Sequence, residues 1–502
     1  MSLSRVAPAT LLLPLFFLLI GADEGGALPG SPEREAEAAA LAEAGSGDAG
    51  TPDGGLAEAG EGSDAGVMLG LVPPRPVPSR ESDPPIAHLR SLPAKQDVLA
   101  RAKKDGKGRL VVPGPNGAVP LTIDPVLQEQ LKRTLELYQV PFGAVVVLEP
   151  STGRVLAMAE HSQSRPDLRG LATRAVFPAA SIFKIVTGAA LLEAGLTPEA
   201  ETCFHGGKRR ISAKLLEDSA SDGQCHSLAA AMGKSANVIF AKLTQRHLSP
   251  ESLRHAAARF HFNREIPFPV PTDVSLAAVP EDDGFRFAQT GAGFGDVYLS
   301  PLHGALVAAV AANGGVWKDP VLFEPGADAP STPGEQVLSP EVARSLTTML
   351  EATVTRGTAR RVFRERGMRV PGAVGKTGTL ADRTPFRDYS WFVGFAPKDN
   401  PKLAVAAVIV NEPLWRIRAT WLGREGLRLG LARLPPGALA PQKDDAPDVP
   451  VEEDSEEDEA PEGETPAPVV AGTPAATPPA TPPATLPATP PDTEAASAMS
   501  QP

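Results

Sequence analysis

Large apolar side chains recur regularly only in the middle of this 502-residue chain, from about Val119 to Leu434. Both ends are rich in Ala, Gly, Pro, Glu and Asp, and such segments bury too little apolar surface to offset the entropy lost on ordering. The middle, at roughly 320 residues, is long enough for one large core or two lobes. This restriction excludes a chain folded from end to end, a multi-span membrane protein and a small disulfide-dense domain.

Composition divides the chain after its N-terminus into four predicted segments. Residues 119–434 form the main folded domain, and residues 85–118 form a short lead-in to it. Residues 23–84 are a disordered acidic linker, and residues 435–502 are a disordered tail with an acidic run and Pro-rich repeats. Proline at this density favours extended polyproline II over a packed core. We interpret the tail as a solvated spacer, with a partner-binding arm as the alternative.

Residues 1–22 have the pattern of a secretory signal. Arg5 precedes an apolar run, Ala7–Ile20, which Gly21 and Ala22 follow. A membrane-spanning helix needs about 20 apolar residues, so this run is short for a span. We expect a cleaved signal peptide, with an uncleaved N-terminal anchor as the alternative. Either one places the protein in the periplasm or on the outer face of the cytoplasmic membrane.

Charge is segregated along the chain. Residues 1–84 hold 4 basic and 13 acidic side chains, and residues 441–502 hold 1 basic and 14 acidic side chains. Residues 85–440 therefore carry about +10, although the whole chain carries -12. A cationic folded region suits an anionic substrate or surface. The alternative is that the acidic ends merely offset a mildly basic domain.

The chain has two cysteines, Cys203 and Cys225. In an oxidising compartment they can form a disulfide closing a loop of about 20 residues, worth roughly 3 kcal/mol in the chain-entropy model. Two free thiols are the alternative. Neither the cysteines nor the eight histidines have metal-site spacing, so we expect no metal and no cofactor.

The periodicity of the middle region predicts an α+β fold, with an antiparallel β-sheet packed against helices and an all-helical lobe. Asp124 before Pro125 is a strong helix start, and residues 178–258 are predicted to be largely helical. Apolar and β-branched runs near both ends of the domain predict the strands. These strands are Gly143–Leu148, Arg154–Ala159, Tyr389–Phe395 and Leu403–Val410.

The first motif that can carry chemistry is Ser181-Ile-Phe-Lys184, at the start of an apolar, helical run. On a helix these two side chains lie on one face. The serine hydroxyl is a poor nucleophile until a base removes its proton, and a buried lysine can have its pKa lowered enough to do so. The alternative is an N-cap serine followed by an incidental lysine.

The second motif is Ser235-Ala-Asn237, just before another helical run. Both polar side chains could point into a cleft. The alternative is that they only cap the helix, which Ser and Asn do often.

The third motif is Lys376-Thr377-Gly378-Thr379, directly before the late strand pair. On a strand, a lysine with neighbouring hydroxyls can hold a carboxylate, and the glycine lets a substrate backbone approach closely. An ordinary turn with a solvated lysine is the alternative.

In this order the three motifs form the signature of the penicillin-binding proteins and serine β-lactamases. The chain resembles the transpeptidase domain of a penicillin-binding protein over roughly residues 120–430. Stretches outside the motifs match that domain as well. They are Leu121–Pro125, Pro150–Met158, Gly291–Gly295, Ser300–Leu302, Ala312–Gly315, Gly357–Arg360 and Trp391–Phe395.

The resemblance implies a role for each motif residue. Ser181 would attack the penultimate D-Ala carbonyl of a peptidoglycan stem peptide, with Lys184 as general base, and Ser235 would relay a proton to or from the leaving group. A β-lactam would be trapped on Ser181 as a slow ester. The residues implied to bind the substrate are Asn237, Lys376, Thr377, Gly378 and Thr379.

Two other functions share these motifs: a serine β-lactamase, and a non-catalytic wall-binding or regulatory protein with the same fold. Residues 23–118 are too short and too biased in composition to form an upstream glycosyltransferase domain. A separate glycosyltransferase is therefore a candidate partner. We expect no nucleic-acid partner, and membrane contact only through an uncleaved N-terminal segment.

Overall fold

The computed structural model describes Ile86 and residues 89–209, 211–326, 333–413 and 415–439. The segments predicted as a signal peptide and an acidic linker lie outside these residues, and so does the C-terminal tail from residue 440. Among the described residues, no helix is both long and apolar enough to cross a membrane.

Fifteen strands are present in the described part of the chain. They are β1 (Lys103–Lys104), β2 (Leu110–Gly114), β3 (Gly117–Pro120), β4 (Phe142–Leu148), β5 (Val155–His161), β6 (Phe177–Pro178), β7 (Glu201–Phe204), β8 (Gln224–Ser227), β9 (Leu276–Ala277), β10 (Val297–Leu299), β11 (Val316–Trp317), β12 (Glu335–Gln336), β13 (Val374–Arg383), β14 (Phe386–Ala396) and β15 (Leu403–Asn411).

Twelve α-helices accompany them in the same described ranges. They are α1 (Val98–Arg101), α2 (Pro125–Leu137), α3 (Lys184–Glu193), α4 (Ala213–Leu216), α5 (Leu228–Lys234), α6 (Asn237–His247), α7 (Pro250–Arg259), α8 (Phe285–Gly291), α9 (Pro301–Ala312), α10 (Pro340–Thr355), α11 (Arg360–Phe363) and α12 (Ala419–Leu431).

The main sheet has five antiparallel strands in the order β13-β14-β15-β4-β5. The four predicted strand runs form β4, β5, β14 and β15, and strands from both ends of the domain meet where β15 pairs with β4. The predicted α+β fold is confirmed. The order places β13, which carries the Lys-Thr-Gly motif, at an edge of the sheet.

Both faces of the main sheet are buried, which explains its continuous apolar runs. In β4, Val145 and Val147 belong to a core with α2 and α12, whereas Ala144 and Val146 belong to a core with α9 and the helical lobe. Alternate residues of a strand point to opposite faces, so one short run serves both cores. The sheet therefore separates two apolar layers.

Helix α2 begins where the sequence predicts it. The Asp124 carboxylate accepts hydrogen bonds from the N–H groups of Val126 and Leu127, and Pro125 occupies the first turn, where it has no N–H to satisfy.

Helices α3, α5, α6, α7, α8 and α10 form the predicted helical lobe beside β13. Residues 178–258, predicted to be largely helical, differ from that prediction in one place. A two-stranded hairpin of β7 and β8 interrupts it, with Cys203 directly opposite Cys225. The two residues form a disulfide. A cross-link closed over this short loop favours a paired hairpin over continuous helix.

The lead-in adds a small three-stranded sheet of β1, β2 and β3 to the domain. Leu89, Leu92, Val98 and Val112 are buried in the core on the α9 face of the main sheet. This segment therefore packs against the domain.

Candidate active site

Ser181 lies in a single 3-10 turn, Ala180–Phe183, that leads into α3. The chain just before this turn is fixed to the sheets on two sides. The indole N–H of Trp391, on β14, donates to the Pro178 carbonyl at 2.9 Å, and the Ala179 N–H donates to the backbone of β10 at 2.8 Å. The sheets therefore set the position of the serine, and the turn presents it at the N-terminal end of α3.

Lys184 is fully buried, and its amine group lies at the centre of the site. Its Nζ is 2.8 Å from Ser181 Oγ and 2.7 Å from Asn237 Oδ1. Burial, and secondly the charge of Lys376, hold the pKa of Lys184 well below its usual value. The structure thus brings together a hydroxyl and an amine that favours its uncharged form.

The third partner of Lys184 is the Ala292 carbonyl, 2.5 Å from Nζ. Ala292 belongs to the Gly291–Gly295 stretch. Gly293 has a φ of +93°, and a Cβ there would lie 2.2 Å from the Ala180 carbonyl oxygen. A side chain at this position would collide with the turn that carries the serine. Glycine is therefore required for this stretch to approach the site.

Ser235 follows α5 in a left-handed conformation, with a φ of +56°. Its hydroxyl donates to Ser181 Oγ at 3.0 Å and accepts from Lys376 Nζ at 2.9 Å. A chain of hydrogen bonds thus runs from Lys376 through Ser235 to Ser181. Non-glycine residues rarely adopt this left-handed conformation. At Ser235 it directs the side chain toward Ser181 and Lys376.

The Lys-Thr-Gly motif lies on β13, the edge strand beside the serine turn. Lys376 is fully buried, and burial lowers its pKa to about 7. Its Nζ donates to the Thr377 carbonyl at 2.8 Å. The strand passes close to the serine turn at Gly378, because a Cβ there would lie 3.2 Å from the Ile182 side chain. Thr379 is exposed, on the part of the strand open to a ligand.

Thr358 contacts both β13 and the end of α5. It lies outside the three motifs, and the sequence did not predict it as a site residue. Its hydroxyl lies 2.6 Å from the Thr377 hydroxyl, and its N–H donates to the Gly233 carbonyl at 3.0 Å. It thereby links β13 to the end of α5, two residues before Ser235. The matching Gly357–Arg360 stretch was the available signal, but the pairing depends on tertiary contact.

Asn237 is held from two sides. Its Oδ1 accepts from Lys184, and its Nδ2 donates to the Arg209 carbonyl at 2.9 Å. Its N–H donates to the Lys208 carbonyl at 2.8 Å. Both carbonyls belong to the disulfide loop, residues 203–225. The loop therefore fixes the orientation of an amide in the site.

Buried ionic contacts fasten the disulfide loop to α6. Lys242, which is fully buried, donates to the Cys203 carbonyl at 3.3 Å and to the Asp222 carboxylate at 2.9 Å. His205 Nδ1 lies 2.5 Å from the same carboxylate. The hydrogen bond from Lys242, followed by that from His205, lowers the pKa of Asp222 to about 2. The loop is thus held by Lys242 as well as by its contacts with Asn237.

Removing the disulfide with the double substitution Cys203→Ser and Cys225→Ser should lower the free energy of unfolding by about 3 kcal/mol, because the unfolded chain regains loop entropy. Urea unfolding of the oxidised wild type and the double variant measures the difference. Reductant should destabilise the wild type by a similar amount and leave the variant unchanged. Equal stability of the oxidised wild type and the variant would contradict the prediction.

Comparison with known proteins agrees with this geometry. Residues 143–420 match the penicillin binding protein transpeptidase domain. A relative named peptidoglycan D,D-transpeptidase PbpA, from Mycobacterium tuberculosis, is 32% identical over 340 residues, which cover 59% of this chain and 67% of the relative.

Solved structures show the same fold. Penicillin-binding protein A from M. tuberculosis, solved as an imipenem acyl-enzyme complex, is 28% identical with a TM-score of 0.50, covering 62% of this chain and 79% of that one. The D,D-transpeptidase domain of a peptidoglycan glycosyltransferase from Eggerthella lenta has a TM-score of 0.52 at 24% identity, covering 66% of this chain and 94% of that one. The family match spans more than half of the chain, including all three motifs. The chain therefore belongs to the penicillin-binding protein transpeptidase family.

Proposed function

We propose that this protein is a peptidoglycan D,D-transpeptidase that works through an ester on Ser181. One observation carries the proposal: a fully buried Lys184 amine lies 2.8 Å from the Ser181 hydroxyl, and burial lowers its pKa. An uncharged amine has two N–H groups, which match Asn237 Oδ1 and the Ala292 carbonyl. Its lone pair is then available to accept the Ser181 proton.

Acylation forms one bond and breaks another. Ser181 Oγ adds to the penultimate D-Ala carbonyl carbon while Lys184 accepts the hydroxyl proton. The C–N bond to the last D-Ala then breaks, and the proton held by Lys184 passes to the leaving amine through Ser235, which is hydrogen-bonded to Ser181 and Lys376. An amine of a neighbouring stem peptide next attacks the ester, forms the cross-link and releases the Ser181 hydroxyl. Water in place of that amine would give a carboxypeptidase.

The remaining motif residues are proposed to bind the substrate. Lys376, with the hydroxyls of Thr377 and Thr379, would hold the terminal carboxylate, and Gly378 would allow its close approach. Asn237 would hold the backbone of the stem peptide.

The N–H groups of Ser181 and Thr379 would stabilise the oxyanion, with about 3 kcal/mol from each donor at the transition state. The serine turn and β13 approach each other at Gly378, next to both groups.

Fluorescent penicillin tests the proposal. The full-length protein should gain one covalent adduct, visible in its intact mass, and peptide mapping should place it on Ser181. The ester should persist for hours. Rapid loss of the label with release of hydrolysed penicillin would indicate a β-lactamase. Absence of an adduct on folded protein would favour the non-catalytic alternative.

The rate of acylation by penicillin should follow a bell-shaped pH profile. Burial lowers the pKa of Lys376 to about 7, so the cation that binds the carboxylate is lost above that pH. Burial, and secondly the charge of Lys376, lower the pKa of Lys184 as well, so its basic form is lost as the pH falls through that lowered pKa. The second-order rate constant, measured from about pH 4 to about pH 9, should fall at both ends. A rate that rises steadily into alkali would contradict the role of Lys376.

We also propose that the protein acts outside the cytoplasm, in the periplasm or on the outer membrane face, where peptidoglycan is cross-linked. The disulfide between Cys203 and Cys225 supports an oxidising compartment. A separate glycosyltransferase would supply the glycan strands. Fractionation of cells, with the thiols blocked before lysis, would test the location and the oxidation state together.

A further inference from the structure

A dense group of arginines follows the active-site residue Thr358. Six arginines within residues 356–369 are all exposed. We call them the arginine patch: Arg356, Arg360, Arg361, Arg364, Arg366 and Arg369.

The positive charge of the patch is not neutralised locally. Within the part of the chain that the structure describes, none of the six guanidinium groups has an ion pair or a hydrogen bond. The one acidic residue in this segment, Glu365, pairs with the buried Arg424 on α12. Part of the positive charge inferred for residues 85–440 is therefore concentrated here.

The patch is fixed next to the substrate-binding strand. Thr358 contacts Thr377, and Arg356 and Arg360 are each two residues from Thr358, so their Cα atoms lie within about 7 Å of its Cα. Ala359, directly before α11, and Phe363, at its end, are both buried. The patch therefore has an anchored backbone beside the site.

Guanidinium groups bind carboxylates in a two-pronged geometry, and several close together raise the local concentration of a polyanion. The terminal carboxylate of the bound stem peptide is already assigned to Lys376 and its neighbours. We propose that the arginine patch binds the free carboxylates of further stem peptides on the same glycan strand, so that polymeric strands are preferred to isolated stem peptides. This inference rests on the proposed function, because it concerns the substrate of the same site.

A membrane surface fits the patch less well. Amphipathic surfaces that lie in a membrane combine cationic groups with apolar side chains that insert. Among the described residues, the exposed large apolar side chains are Val126, Leu137 and Tyr138, on α2 and directly after it. None belongs to the patch. A carboxylate-bearing polymer is thus the better match.

The test compares two matched double variants of the full-length protein. Arg360→Gln with Arg361→Gln removes two adjacent exposed charges from the patch. Lys103→Gln with Lys104→Gln removes two adjacent exposed charges from β1. The probe is a labelled, uncross-linked glycan strand with stem peptides trimmed to tripeptides, which offers side carboxylates but no D-Ala-D-Ala end. The dissociation constant is measured by fluorescence anisotropy at two salt concentrations.

The patch variant should bind the strand roughly five- to tenfold more weakly, with a smaller salt dependence, and the β1 variant should bind like the wild type. Amidating the strand carboxylates should weaken wild-type binding to the level of the patch variant. Equal binding by both variants, or binding to phosphatidylglycerol vesicles but not to strands, would overturn the inference. Penicillin labelling of Ser181 is the independent readout. If the wild type is labelled normally but both variants bind the strand equally well, only this inference is wrong. If the wild type is not labelled at all, the proposed function is wrong.

Discussion

Replacing Ser181 with alanine should abolish covalent penicillin labelling, with a loss of more than about 10⁴-fold in acylation rate. The substitution removes the oxygen that forms the ester and leaves the sheet contacts of the preceding residues unchanged. Ser181 Oγ has Lys184 and Ser235 as its hydrogen-bond partners in the described structure, so the turn itself should persist. Stopped-flow or gel measurement of labelling checks the result.

Ser164→Ala is the matched control for this substitution. Ser164 lies away from the three motifs, and its exposed hydroxyl bonds to Glu412. The control variant should be labelled at the wild-type rate. Urea unfolding should show that Ser181→Ala remains folded. A labelled Ser181→Ala protein, with the adduct mapped to another residue, would show that Ser181 is not the nucleophile.

Lys184→Met should lower the rate of acylation by about 10³-fold, which is typical for the loss of a general base. Methionine has nearly the same length and is uncharged, so it can occupy the buried position. The Ser181 hydroxyl then has no base to accept its proton. Removing the amine relieves the cost of burying it but leaves Asn237 Oδ1 and the Ala292 carbonyl without their hydrogen-bond donor, so the free energy of unfolding should change by no more than about 2 kcal/mol. Labelling kinetics and urea unfolding measure the two effects.

The pH profile gives Lys184→Met a second readout. The acid limb of the wild-type profile is assigned to Lys184, so it should disappear in the variant. The alkaline limb, assigned to Lys376, should remain. Lys132→Met, which changes an exposed lysine on α2, serves as control and should keep both limbs. A Lys184→Met protein that retains the acid limb would show that another group is the base.

The main elements of the fold could be predicted because their signals are local. The Asp-Pro start of α2 and the apolar runs of the four strands need only neighbouring residues to be recognised. The sheet order could not be read in this way. The pairing of β4 with β15 joins Val145 to Ala407, far apart in sequence, and depends on which surfaces bury each other.

The residues of the candidate site also fall into those that the sequence predicted and those that only tertiary contacts revealed. The motifs named Ser181, Lys184, Ser235 and Lys376, and the structure brings these four together. Thr358 was missed, because its partner Thr377 contacts it only once α10 and β13 have packed. The contact of the disulfide loop with Asn237 was missed for a similar reason: backbone carbonyls carry it, and they have no residue-type signature.

By itself, the amino-acid sequence determined which residue types are available for catalysis and which segments can form helices or strands, because both depend on side-chain chemistry and short-range periodicity. Tertiary structure alone decided how these residues act together. Ser181 and Ser235 are 54 residues apart, and Ser235 and Lys376 are 141 residues apart, yet each pair is within hydrogen-bond distance. The lowered pKa values of Lys184 and Lys376 also arise only when the fold removes both amines from water.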